Sequence, residues 1–528
     1  MGFFAIFADF HTRGEAREAL FISSVCENNA LIPRGYDEQL PRKPPFYYWV
    51  GCFFFKILGK SEFAARLPSI LAGGFFLGLF YITLRRFKSP IFSTLSLFIL
   101  STSPAFFSLA EVARLDMLHY ASLFGGWFLL LLVDNFMLST LLAAGLISLS
   151  ALTKGPVSLV LSGLVLGFFL TFKFEKKFLL KFLLALFFSS VIVASFYFYL
   201  FKIEGPQVLN ILVEENLGRF YGKQNSVPHA NSAFKIWSLI LLGLGVWSYL
   251  VIAEIWVRLR SVSLTADINS LKSIITSLIS KCHASVKKAS REEFLLFSSF
   301  LIPFCFFSVS EGKRLSYFLI CYPFLAYLLA LKLAKLSYAQ VNFFISLLRF
   351  LNILAGILLF FIFTLSSVDE FPQLKVDSLG LKFCLLASST ANFYIAYKLS
   401  QIKQFVFLRS FWKPVAGAFL ILLFSINSVG GVYLSKALSQ KKLYYWVKSV
   451  NVKNLPVYSA GYEFYGLKFY GLPISSYRIY YKRPFLILTT DKNLDQIRGY
   501  FGASQELYSR YQSWVDKPFN TPVLILAK

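Results

Sequence analysis

The feature that most constrains this chain is a run of apolar segments, each close to the about 20 residues a helix needs to cross a bilayer, separated by short polar breaks. The sequence places spans near 67–87, 89–110, 113–133, 137–153, 155–172, 180–201, 235–257, 294–309, 315–335, 343–365, 380–397 and 414–435. Composition agrees: 56% of the 528 residues are hydrophobic, 18% aromatic and only 15% charged, with a mean hydropathy of +0.61. A soluble domain of ordinary make-up is excluded.

Lys and Arg outnumber Asp and Glu 53 to 27. Such an excess can serve nucleic acid or anionic lipid, but here the cations sit mainly in breaks between spans, and nucleic acid is not expected as a partner. The breaks holding Arg85, Arg86 and Lys88, then Lys173 to Lys181, Arg258 to Arg291, Lys332 and Lys335, and Lys398 to Lys413 alternate along the chain. The positive-inside rule makes them cytoplasmic. The other breaks then face outward: Glu111 to Asp116, Thr153 to Pro156, Lys202 to Phe234, Ser310 to Arg314 and Val368 to Asp377, with the segment before residue 67. Residues 1–8 are apolar but too short to span, and neither a cationic leader nor a small-residue cleavage site follows. Because the topology puts 9–66 outside, a first span upstream is expected to be lost or shortened. The break 258–293 reads as a weakly amphipathic segment along the inner membrane surface, or as a basic loop.

From about residue 441 the pattern changes to alternating stretches, LPVYSA, SYRIYY, PFLILTT and TPVLILA, which read as strands around one or two short helices. The expected architecture is an all-α polytopic membrane bundle of about 12–13 transmembrane helices over residues 1–440. Extracytoplasmic loops at 9–66 and 202–234 carry outward-facing amphipathic helices, and a small α/β domain at 441–528 lies on the outer face. Six cysteines without paired spacing read as small core hydrophobes, with neither a disulfide nor a zinc signature.

Charge beside a membrane span is costly and invites a functional reading. Five groups fall on the outward side: RGEARE (Arg13 to Glu18), RKPP (Arg42 to Pro45), EVARLD (Glu111 to Asp116), TKGP (Thr153 to Pro156) and EGKR (Glu311 to Arg314). Singly, most have bland readings. Glu15 suits the first turn of an amphipathic helix with Ala16, Ala19 and Leu20 on one side, Asp116 suits a helix start, and Tyr47, Tyr48 and Trp49 suit an interfacial aromatic belt. Lys154 is less easily dismissed, because Gly155 and Pro156 hold it at a fixed corner between two helices. Together, several cations on rigid backbone suit a phosphate at headgroup level, and carboxylates on the same face can supply a base. The outer break 203–234 adds ENLGRFYGKQNSVPH, with Glu214, Glu215, Asn216, Arg219, Lys223 and His229.

In order along the chain, EAREAL, RKPPFYYW, SEFAARLPSILAG, ARLDMLHYASL, ALTKGPVSLVL, ENLGRFYG and SEGKRLSYFLICYPFLA resemble the membrane-embedded C-type glycosyltransferases that use polyprenyl-phosphate sugars. The nearest likeness is to the aminoarabinose transferases of lipid A and the bacterial protein O-mannosyltransferases. Specific motifs cover roughly residues 12 to 330. The resemblance implies an inverting transfer of a sugar from a lipid-linked donor to an extracytoplasmic lipid, glycan or protein acceptor, lipid A or lipopolysaccharide foremost, in a bacterial inner (plasma) membrane, with membrane lipids as further partners.

It also implies roles. Lys43, in the motif ending KPP, would hold the donor phosphate, with Arg42, Arg219, Lys154 and Lys313 as further candidates. Relatives commonly read Asp-Glu-x-Arg in the first loop, whereas here the stretch is Gly14-Glu15-Ala16-Arg17. Glu15 is therefore the expected catalytic carboxylate and Asp116 the second acid, with Arg17, Tyr47, Arg114 and His229 positioning. The departure at Gly14 leaves open a changed acceptor or an inactive relative. No cofactor is implied beyond the donor, no residue set has metal-ligand spacing, and a divalent metal stays open. A transporter or flippase of a lipid-linked sugar is the rival. It predicts two-fold repeats and mid-span charges, and neither is evident.

Overall fold

The computed structural model describes residues 2–10, 12–35, 39–218, 233–253, 288–310, 314–333, 338–365, 379–401, 408–437, 439–451, 454–460, 464–476, 485–490, 505–510 and 522–527. Ten helices among them are long and apolar enough to cross a membrane: Glu62–Arg85, Leu115–Leu132, Phe136–Lys154, Lys176–Glu204, Ile236–Ala253, Arg291–Val309, Leu315–Leu333, Gln340–Leu365, Leu379–Ser400 and Pro414–Tyr433. Two further helices, Pro90–Thr102 and Pro104–Ala110, are long and apolar enough only as a pair, bent by 67° into a broken span or a re-entrant loop. Pro104 cannot continue the helix before it, so the span expected at 89–110 is broken there. The span expected at 155–172 is the shorter apolar helix Val157–Phe172. The chain is a polytopic helical membrane protein, as its hydropathy pattern requires. The basic segment 258–293 lies almost wholly outside the described residues.

The first ten helices carry most of the site: α1 Gly2–Phe7, α2 Arg13–Asn28, α3 Phe46–Leu58, α4 Glu62–Arg85, α5 Pro90–Thr102, α6 Pro104–Ala110, α7 Leu115–Leu132, α8 Phe136–Lys154, α9 Val157–Phe172 and α10 Lys176–Glu204. Lipid offers apolar side chains no advantage in leaving it, so membrane helices associate through close packing. α7 and α8 pack in this way. A Cβ on Gly126 would stand 2.7 Å from Ile147 and 3.2 Å from the Ala143 carbonyl. Around that contact Phe76, Phe80, Phe124, Trp127 and Phe128 build the bundle core. Its polar tips are paired: the Trp127 indole donates to Ser162 at 2.8 Å, and the Trp247 indole donates to Thr102 at 3.0 Å.

A second core lies at one end of the bundle. It joins α2 and α3 to the C-terminal region, with Phe10, Ile22, Tyr47, Tyr48 and Phe55 packed with Val457, Leu467, Phe469, Leu486 and Leu488. The C-terminal region opens with an amphipathic helix, Gln440–Val450, and contains a five-stranded sheet: β1 Val457–Ser459, β2 Ile474–Ser476, β3 Phe485–Thr490, β4 Gln505–Arg510 and β5 Pro522–Ala527. The strand order is β2-β1-β3-β5-β4. β1 runs parallel to β2 and β3, while β5 is antiparallel to β3 and β4. β3 is central, and its run Phe485, Leu486, Ile487, Leu488 is buried throughout, as the continuous apolar stretch FLIL dictates. β2 shares Ser476 with the expected strand SYRIYY, the rest of which lies outside the described residues, and β4 (QELYSR) lacks the apolar alternation that would have marked it.

The cysteine reading is corrected. Cys26 near the end of α2 and Cys52 in α3 form a disulfide with Cα atoms 5.3 Å apart. Their separation of 26 residues spans a loop and a turn, so no short spacing motif could reveal the pair.

Candidate active site

The predicted outward groups converge at the end of the bundle that holds α2, α3 and the C-terminal sheet. α2 starts at Thr12, whose side chain accepts the Glu15 N–H at 3.3 Å. α3 starts after the rigid Pro44-Pro45 corner, where the Pro45 carbonyl accepts from Tyr48 N–H at 2.9 Å and Trp49 N–H at 3.1 Å. α8 ends at Lys154, and the turn into α9 is made by Gly155 with φ +108°, a conformation that favours glycine. A Cβ there would also meet the Asn216 side chain at 3.3 Å.

Two cavities open at this end and share a wall. One, of about 170 Å³, is polar. It is lined by Arg17, Arg42, Lys43, Arg114, Lys154 and Arg314, against the carboxylates Glu18 and Asp116, with Tyr48, Tyr317 and Tyr465 between them. The other is a slot of about 50 Å³ with a mainly apolar lining that includes Pro44, Phe196, Leu200, Val208, Ile211 and Leu212. Arg42, Lys43 and Lys154 line both. Cations thus stand where an apolar slot meets a charged chamber.

Their partners are specific. Lys43 Nζ lies 2.9 Å from Glu215, and the more exposed Arg42 lies 3.6 Å from the same carboxylate. Lys154 Nζ is 2.7 Å from Asp116, whose other oxygen is 3.5 Å from Arg114. The Lys154 ammonium also lies over the rings of Tyr120 and Tyr317, at 4.8 and 4.9 Å, an arrangement that offsets part of its lost hydration. One turn deeper, His119 Nδ1 is 2.9 Å from the Ser150 hydroxyl. That hydroxyl is in turn 2.9 Å from Ser158, so a polar knot fixes α7 to α8 and α9 beneath the ion pair.

Glu15, expected as the catalytic carboxylate, is not among the residues that line the chamber. It is fully buried behind the chamber wall, with Arg66 Nε donating to it at 2.9 Å and the Ala113 N–H at 3.1 Å. Arg66, equally buried, also donates to the carbonyls of Ala5, Ala8 and Asp9 and lies between the rings of Phe4 and Phe10. This pair ties α1, α2, α4 and the segment after α6 together. One helical turn on from Gly14, on the same face, Glu18 instead lines the chamber. It is gripped by Arg17 and accepts the Tyr48 hydroxyl at 2.8 Å. The Glu18 charge raises the Arg17 guanidinium further above its ordinary range, and burial raises the Tyr48 phenol, so both stay protonated as donors. The Gly14 position faces Arg114, whose guanidinium lies 3.1 Å from where a Cβ would be.

Tyr47, expected as a positioning residue, does not line the chamber either. It is buried, with its hydroxyl donating to the Ala65 carbonyl at 3.1 Å and 3.2 Å from Ser69. It belongs to the core behind the chamber, and neither it nor Tyr48 forms an interfacial belt. Trp49 holds the preceding loop by donating to the Leu31 carbonyl at 2.8 Å. Of the expected residues, Arg17, Arg42, Lys43, Arg114, Asp116 and Lys154 meet in the chamber. Arg219, His229 and Lys313 lie outside the described residues. Glu18 and Arg314, from two of the outward groups, Glu215 from the break 203–234, and Tyr465, which was not singled out, complete the surroundings. Glu215 adjoins Glu214 and Glu18 follows Glu15 by three residues, and sequence offers no means of telling which of each two faces inward. Among the described residues no group of three His, Cys, Asp or Glu side chains could hold a metal ion, so ion pairs organise the charge seen here.

Comparison with known proteins follows the same lines. Residues 42–132 match the dolichyl-phosphate-mannose-protein mannosyltransferase family. The fold matches that of ArnT from Cupriavidus metallidurans bound to undecaprenyl phosphate, with a TM-score of 0.68 and 16% identity over 99% of this chain and 95% of that one. The apo form gives 0.68 and 15% over 99% and 94%. Two uncharacterized proteins of Aquifex aeolicus (strain VF5) are 26% identical over 310 residues and 28% identical over 200. These matches span 57% and 37% of this chain, and only 62% and 40% of those proteins' lengths. The chain therefore has the fold of ArnT, and over residues 42–132 it resembles the dolichyl-phosphate-mannose-protein mannosyltransferases.

Proposed function

We propose that this protein moves a sugar from a polyprenyl-phosphate-linked donor to an extracytoplasmic acceptor, with inversion at the anomeric carbon. The observation that carries the reading is the shared wall of the two cavities, where Arg42, Lys43 and Lys154 stand between an apolar slot and a charged chamber. An amphiphile with a phosphate between a hydrocarbon tail and a sugar suits that junction. The ArnT structure of matching fold holds undecaprenyl phosphate, a ligand of this chemistry.

The reaction needs little acid catalysis, because the leaving group is already an anionic phosphate. It needs fixed positive charge where negative charge grows as the anomeric C–O bond breaks. Lys43 and Lys154 supply that charge in a partly dehydrated site. Glu215 and Asp116 hold the two ammonium groups in place before the donor arrives, at 2.9 and 2.7 Å. Arg219 and Lys313 remain further candidates for the phosphate, and His229 for positioning. The acceptor is a lipid such as lipid A, another envelope glycan or a protein.

The membrane is the bacterial inner membrane and the site faces outward. Two arguments support that side. Among the described residues, the cations Arg86, Lys88 and Lys181 of the breaks after α4 and α9 lie at the opposite end of the bundle, and the Cys26–Cys52 disulfide on the site side suits an oxidising compartment.

The test is transfer of radiolabel from lipid-linked sugars, extracted from membranes, to lipid and protein fractions by the purified protein in lipid discs. Label that reaches an acceptor only with intact protein, and is lost in Lys43→Ala, supports the reading. No transfer from any donor by folded protein overturns it.

A further inference from the structure

Among the described residues two carboxylates line the chamber, and they are not equivalent. Asp116 is bonded directly to Lys154, a member of the cationic wall that meets the slot, and its second oxygen faces Arg114. It therefore sits on the side where a donor phosphate would leave. Glu18 is held by Arg17 and Tyr48 and has no ion pair with Arg42, Lys43 or Lys154 among those seen. It projects from α2, backed by a neutral phenol that only donates to it. An inverting displacement requires the acceptor to arrive on the face opposite the leaving phosphate, with its base on that face.

We infer that Glu18 is the catalytic base, taking the proton from an acceptor hydroxyl; the assignment rests on the proposed transferase reading and adds to it that the acceptor is an alcohol. As the acceptor oxygen forms its bond to the anomeric carbon, its proton passes to a Glu18 carboxylate oxygen. The anomeric carbon–oxygen bond breaks, and its electron pair leaves on the polyprenyl phosphate beside Lys43 and Lys154. Arg17 and Tyr48 are positioning residues that fix the carboxylate before the acceptor binds. A carboxylate so held needs no reorganisation during the step.

The experiment uses the full chain in lipid discs, with radiolabelled lipid-linked sugars for transfer and undecaprenyl phosphate for binding. Glu18→Gln preserves shape and is expected to lower the turnover rate about 10²–10⁴-fold, as loss of a general base does, while undecaprenyl phosphate still binds. Glu18→Ala is expected to regain part of its turnover with added formate, a response that loss of a purely structural contact does not give. Tyr48→Phe keeps the packing and is expected to reduce turnover less than Glu18→Gln. Unchanged transfer by Glu18→Gln overturns the assignment alone. So does a loss matched by equal loss of undecaprenyl phosphate binding, with no formate rescue of Glu18→Ala. Absence of transfer by the unaltered protein overturns the transferase reading and this assignment together.

Discussion

The two ends of the helical bundle both carry ion pairs, yet they differ in how those pairs meet water. At the end holding the C-terminal sheet, Asp116 and Lys154 expose 6% and 13% of their side chains, and Glu215 only 3%. At the opposite end Arg86 pairs loosely with Asp134, which is 92% exposed, and Arg291 with Glu175 at 52% and 37%. A buried cation there, Lys181, donates to the Val133 carbonyl at 3.1 Å and completes the end of α7. Exposed pairs of this sort contribute little and serve the loops that hold them. Buried pairs converging on a cavity are costly to assemble, and their persistence in a chain only 15% charged separates a working site from ordinary loop chemistry.

The sharpest way to break that contrast lies behind the chamber. If the Glu15–Arg66 pair is structural, Arg66→Met leaves Glu15 buried without its partner and should cost about 3–5 kcal/mol, the usual penalty for breaking a buried pair. Thermal unfolding in detergent reads the loss. Glu15→Gln should destabilise in the same direction. A Glu15→Gln protein of unchanged stability that has lost transfer would instead return Glu15 to the chemistry.

Next comes the cationic wall. Lys43→Ala should lower transfer about 10²–10³-fold, as removal of a preorganised charge-stabilising donor does, with weaker undecaprenyl phosphate binding and a smaller loss of stability than Arg66→Met, because Arg42 still faces Glu215 at 3.6 Å. Lys43→Arg should retain part of the rate because the charge stays near Glu215. Equal effects on stability and transfer would put Lys43 with the structural pairs.

Much of this contrast was legible in the sequence because it rests on hydropathy and sidedness. Apolar runs placed the spans, and cation alternation sorted the breaks, so Arg42, Lys43, Asp116 and Lys154 were assigned to one end before any geometry was known. Rigid corners were visible too, as Pro44-Pro45 and Gly155-Pro156. What could not be read was which of several charges on one short helix faces the cavity. Glu15 and Glu18 differ by three residues, less than a full turn, and the choice depends on Arg66 from α4 reaching Glu15. The Cys26–Cys52 pair is likewise set by how α2 lies on α3, a tertiary fact that spacing does not encode.

That disulfide supplies the third test. It closes a loop containing the Pro44-Pro45 corner and Lys43, with a separation of 26 residues. Chain-entropy arguments give about 3 kcal/mol for a loop of that size. Cys26→Ser with Cys52→Ser should lower the unfolding temperature, and reduction of the unaltered protein should do the same. Equal stability of the oxidised and reduced proteins would show that packing of α2 on α3 alone holds the loop.

The smallest effect is expected where the opposite end most resembles a site. Lys88 lies 2.9 Å from Glu293, the Tyr327 hydroxyl donates to the same carboxylate at 2.6 Å, and the ammonium stands over the Phe87, Phe92 and Tyr327 rings. The composition echoes Lys154 with Asp116, Tyr120 and Tyr317. Yet Lys88 and Glu293 are each about a quarter exposed, and Glu293 is already committed to capping its own helix through Ser290. Lys88→Ala should therefore cost no more than about 1 kcal/mol, as half-solvated pairs do, with transfer unchanged and the loss further reduced by added salt. A large loss of transfer in folded Lys88→Ala would mean that the two ends are coupled through α4 and the Arg291–Val309 helix, and that burial alone does not mark which charges work.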